Sequence, residues 1–139
     1  MELSEKKSQA QFHLLLKAAR KVLTGMFGSG YPADRELAGF YRENRQCGSR
    51  DRALINNALY ILLRHWGWVR KLAGKELVSV IESGENNYTN RDLGAMFFFA
   101  LATDNTHPAA LKLAANFIEL PPPEIKGSSA VSRAAEAAK

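Results

Sequence analysis

Apolar residues recur along this chain at intervals of three and four, the period of helices, and no run of β-branched residues alternates as a strand would. From Gln9 to Phe27 the apolar positions Phe12, Leu15, Leu16, Ala19, Val22, Leu23 and Phe27 share one face and predict a first helix. The GSGYP that follows is a break. A second helix, about Ala33 to Arg45, opens beside Pro32 and Asp34 and turns Leu37, Phe40 and Tyr41 to one side. Gly48 suits its left-handed C-cap, and Ser49 suits the N-cap of the next helix. That third helix, about Arg50 to Leu72, carries Ile55, Ala58, Leu59, Leu62, Trp66 and Val69 on its apolar face. Gly67 weakens its later turns by about 1 kcal/mol relative to alanine. A shorter helix from Glu76 to Ser83 leads into the loop SGENN.

Thr89 or Asn90 then caps a helix through AMFFFALA, apolar nearly all round, which marks the most buried helix of a bundle. TDNTHP ends it, and Pro108 stands near the start of a last core helix reaching about Leu120. Pro121, Pro122 and Pro123 forbid its continuation. The expected architecture is an all-α bundle over residues 9–120, with a flexible N-terminus at 1–8 and a linker or tail at 121–139.

The composition is that of an ordinary globular chain, 46% hydrophobic and 24% charged. No apolar run approaches the roughly 20 residues of a membrane span, so no membrane partner is expected. A single cysteine excludes an internal disulfide, and without an export signal the expected compartment is the cytosol. Net charge changes the picture more. The whole excess of +5 falls between Arg42 and Lys71, where seven basic residues meet two acidic ones. Six of the seven are arginine, whose planar fork suits phosphate. Such clustering is an electrostatic footprint of nucleic acid, although a solvated basic face gives the same signal. Within it Arg50, Asn57, Arg64 and Lys71 stand seven residues apart, nearly in line down one helix. These four, with Arg42, Arg45, His65 and Arg70, are the candidate RNA contacts.

Two arginines at the opening of the third helix need partners, because the helix dipole disfavours cations there by roughly 0.3–1 kcal/mol each. Arg52, directly before the core-facing turns, is expected to make an internal salt bridge to Asp34 or Glu43. Arg50 is expected to face an outside anion, and Asp51 to serve the positive helix end.

Catalytic patterns are wanting. Cys47 has no neighbouring base and reads as an ordinary small residue beside a helix break. His13, His65 and His107 lack metal-ligand spacing, and no phosphate loop or dinucleotide fingerprint occurs. Phe97, Phe98 and Phe99 read as core. Trp66 and Trp68 cannot both face inward on one helix, so one is expected at the surface, available for stacking.

The run PADRELAGFYRENRQCGSRDRALINNALYILLRH resembles the N-terminal region of the Sun (Fmu) family of ribosomal RNA cytosine-5 methyltransferases. The matching positions are Asp34, Leu37, Phe40, Tyr41 and Arg42, then Gly48 to Arg52, then Tyr60, Leu63 and Arg64. The resemblance covers about a quarter of the chain. It implies a NusB-like helical bundle that binds RNA, ribosomal RNA above all, for a downstream methyltransferase domain. In that family S-adenosylmethionine and a Pro-Cys nucleophile belong to a Rossmann-like domain. Neither motif occurs here, so this chain by itself is expected to be no enzyme and to hold no cofactor. The alternative is a helical protein–protein interaction module whose basic stretch docks on an acidic partner.

Overall fold

The computed structural model describes residues 2–119. Among them the chain is all-helical: α1 (Glu2–Ser29), α2 (Ala33–Glu43), α3 (Ser49–Arg64), α4 (Trp66–Ala73), α5 (Lys75–Glu82), α6 (Asn90–Asp104) and α7 (Pro108–Phe117). The expected tail at 121–139 and the proline run lie outside the described residues.

Two helices organise the core. α1 buries Phe12, Leu15, Leu16, Ala19, Val22 and Leu23, the face that its periodicity predicts, and packs against α2, α3, α5, α6 and α7. It begins at Glu2, ahead of the expected Gln9. α6 buries residues on every side, Leu93, Met96, Phe97, Phe98, Ala100 and Leu101 among them, because α1, α3, α4 and α7 surround it. Phe99 is half-buried and packs against the same core. Leu16, Leu59, Leu62 and Phe98 belong to this one core.

Local chemistry sets several boundaries. Thr89 Oγ1 accepts from the Asp92 amide at 3.0 Å and Asp92 Oδ2 accepts from the Thr89 amide at 3.3 Å, a reciprocal cap that starts α6. At α3 the cap is one-sided. The N-cap is Gly48, not Ser49, and its amide donates to Asp51 Oδ2 at 3.0 Å. Asp51 thereby serves the positive helix end, as expected. α2 stops at Glu43, earlier than Arg45, because buried Asn44 turns its side-chain amide back to the Phe40 carbonyl at 2.9 Å. At the far end of α1, Gly84 takes φ +85° and lies so close to Gly28 that a Cβ there would stand 2.3 Å from the Gly28 Cα. Only glycine fits that crossing.

The expected third helix is two helices. His65 leaves helical geometry (φ −101°, ψ 15°), and its carbonyl accepts from the amides of Trp68 and Val69 to open α4. Distant partners hold the break in place. The His65 imidazole is 2.8 Å from Asp104 on α6, and the Trp66 indole donates to Glu82 on α5 at 2.9 Å. Gly67, a weak helix former, offers little resistance.

Candidate nucleic-acid interface

Arg50, Asn57 and Arg64 lie on the outer face of α3, opposite Ile55, Ala58, Leu59 and Leu62, which fasten the helix to the core. Seven-residue steps drift only about 20° each round a straight helix, so the three side chains keep one stripe. All three are exposed, and none forms an ion pair or hydrogen bond among the described residues. Arg64 lies close enough to Asp104 for its charge to act on that carboxylate.

Tyr60 occupies the same face and is the most exposed large apolar side chain of the described residues, at 65%. Four residues from Arg64, it lies about 40° from it round the axis. In the sequence it stands only among the positions that match the family motif. Its signal as a contact was an aromatic residue at helical spacing among arginines and asparagine.

The other candidates go elsewhere. Arg42 is exposed, but its guanidinium lies against Gly39 beside Lys21, on the side of α2 that meets α1. Arg45 is exposed in the connection between α2 and α3. His65 is committed to Asp104. Burial pushes the Asp104 carboxyl up, but hydrogen bonds from Thr106 and His65 and the charges of His65 and Arg64 outweigh it, and its pKa is lowered.

Arg70 forks onto Glu82, Nε to Oε2 at 3.1 Å and Nη2 to Oε1 at 2.9 Å. Bonds from Arg70 and Trp66 hold the Glu82 carboxyl below its usual range, so Arg70 is already neutralised. The break at His65 takes Lys71 off the α3 stripe. Lys71 instead borders a surface depression of about 780 Å³ between α4 and α5, which Lys75 also lines. Its ammonium is 6.0 Å from the centre of the Trp68 ring.

The expected Arg52 salt bridge is replaced by a different arrangement. The Arg52 guanidinium lies 4.9 Å from the centre of the Tyr41 ring, and the Tyr41 hydroxyl donates to Asn56 Oδ1 at 2.7 Å. Burial above all pushes the Tyr41 pKa up to about 12, so the hydroxyl remains a donor. Glu43 pairs with Lys21 at 3.5 Å. Asp34 accepts from the Arg35 amide at 3.0 Å. The reason is geometric. Glu43 lies roughly 200° round α2 from Tyr41, and Asp34 lies about 10 Å back along the axis, so neither reaches Arg52.

Neither tryptophan is a free surface platform. Both are half-buried, Trp66 bonded to Glu82 and ring-packed on Phe27, Trp68 with its indole N–H buried and without an acceptor among the described residues. Cys47 is buried, and burial above all raises its thiol pKa, which disfavours the thiolate. His107 is the N-cap residue of α7, and His13 is exposed on α1 with its ring edge to Phe117.

No helix of the described residues is long and apolar enough to cross a membrane. No protein-family model, curated protein or solved structure matches the chain.

Proposed function

We propose that this chain is an RNA-binding domain of the NusB-like kind, serving a ribosomal RNA cytosine-5 methyltransferase of the Sun (Fmu) type in the cytosol. The RNA lies along the outer face of α3. One observation supports this reading most: Arg50, Asn57 and Arg64 form an exposed stripe whose cations have no ion-pair partner among the described residues. Phosphates offset the cost of an arginine at a helix N-terminus and match its planar fork. The chain positions RNA, while S-adenosylmethionine and the nucleophile belong to the methyltransferase's catalytic domain.

The alternative partner is an acidic protein surface. A titration separates the two. The parent chain is added at low salt to a labelled single-stranded ribosomal RNA fragment and, separately, to a polyglutamate of similar charge. The RNA reading predicts saturable micromolar or tighter binding to RNA and much weaker binding to polyglutamate. Absence of RNA binding beside firm binding to the acidic polymer would transfer the surface to a protein partner.

A further inference from the structure

The chain has four tyrosines, and three carry an arginine over the ring. Arg35 covers Tyr31 at 4.1 Å from the centroid, Arg52 covers Tyr41 at 4.9 Å and Arg20 covers Tyr88 at 4.5 Å. Tyr60 is the exception. No cation or ring lies over it and no hydrogen bond holds it among the described residues, although Arg64 stands one turn away. It is also the most exposed of the four. A lone exposed tyrosine is ordinary on any protein. Its neighbours make this one different: Asn57 one turn before it and Arg64 one turn after it, both exposed.

From this placement we infer that Tyr60 is a stacking platform for an unpaired base, so that the ligand class of the α3 face is single-stranded or looped RNA. The inference rests on the RNA reading of that face. Every base has a π-face that an exposed ring can meet, but in a duplex those faces are covered by neighbouring base pairs. The deep, narrow major groove of A-form RNA also refuses a helix presenting a ring. On a single strand, Arg50 and Arg64 take phosphates about 21 Å apart along the helix axis, and the ring between them takes a base turned inward. The nearest carboxylate on the helix, Asp51, is turned to the Gly48 amide and away from this role.

The test compares the parent with Tyr60→Ala and Tyr60→Phe by fluorescence anisotropy. Three probes are used: a labelled single strand, a hairpin stem of matched length, and a strand of the same charge lacking bases at its centre. Circular dichroism establishes that the variants keep the parent's helical content, which is expected because the side chain is exposed. Tyr60→Ala should weaken single-strand binding roughly tenfold. It should leave the duplex and the abasic strand unchanged within twofold. Tyr60→Phe should bind like the parent. The salt dependence should keep its slope in Tyr60→Ala, because no phosphate contact is lost. Parent-like single-strand binding by Tyr60→Ala would overturn the stacking role while the RNA reading stands. An equal loss on the duplex or the abasic strand would overturn it as well. If the parent bound none of the probes at low salt, the RNA reading would fail first and this inference with it.

Discussion

His65 Nε2 and Asp104 Oδ1 stand 2.8 Å apart, tying the break between α3 and α4 to the last turn of α6. The contact joins residues 39 positions apart in the chain, and both side chains are largely removed from water. It divides the basic stretch: Arg64 stays on the outer face of α3, and Lys71 turns away to the α4–α5 depression.

Its pH dependence follows from the lowered Asp104 pKa. A carboxylate that titrates lower in the folded than in the unfolded chain adds stability above its unfolded value, about pH 4. That contribution is lost as pH falls through the folded value. Asp104→Asn should therefore melt below the parent at pH 7, by about 1–3 kcal/mol of stability. The gap should close as pH drops below about 4. Thermal melts between pH 7 and pH 2 check this, and a gap constant across that range would contradict it.

Arg20 ties α1 to the segment before α6 through three side-chain bonds. Its guanidinium donates to the carbonyls of Asn86 at 2.7 Å and Tyr88 at 2.9 Å and to Asn90 Oδ1 at 2.8 Å, while covering the Tyr88 ring. These bonds fasten the loop before α6 to α1. Arg20→Ala should cost about 1–3 kcal/mol in urea unfolding, since it leaves the part-buried Tyr88 carbonyl without its donor and removes two exposed bonds and the ring contact. Arg20→Lys should recover only part of this, because an ammonium cannot repeat the fork.

The two tryptophans should respond differently to loss of the indole N–H. Trp66→Phe removes the bond to Glu82 and should cost about 1–2 kcal/mol. Trp68→Phe removes a buried donor that has no acceptor among the described residues, so relief of that donor offsets the lost ring volume. Chemical denaturation of both variants checks the order, and a larger loss at Trp68 would reverse the assignment.

Arg52→Ala should cost only about 0.5–1 kcal/mol, the scale of an exposed cation–π contact, and Arg50→Ala less still. A loss of several kcal/mol at Arg52 in urea unfolding would restore a buried ion pair there.

What could be read from the sequence followed from local rules. AMFFFALA announced the buried α6 because an all-round apolar helix has nowhere else to go. Thr89 or Asn90 marked its start as a cap, and the structure selects Thr89, with Asp92 completing the reciprocal bond. The break at His65 was hidden because its causes, Asp104 and Glu82, lie on other helices and leave no trace in the period of residues 50–72. The same holds for Arg70, whose sequence position resembles that of Arg50 although Glu82, on another helix, neutralises it. For Arg52 the helix dipole calls for a carboxylate, and the Tyr41 ring takes that place instead. Sequence spacing placed the stripe of Arg50, Asn57 and Arg64 because those residues share one unbroken helix.

The central claim is that phosphates lie along that stripe, and salt tests it most directly. Each phosphate neutralised on a single strand adds about −0.7 to the slope of log affinity against log salt concentration. The double variant Arg50→Gln/Arg64→Gln should keep the parent's helical content and flatten the slope by roughly 1.4. Arg70→Gln, whose charge Glu82 already neutralises, should leave the slope unchanged. A double variant with the parent's affinity and slope would contradict the account.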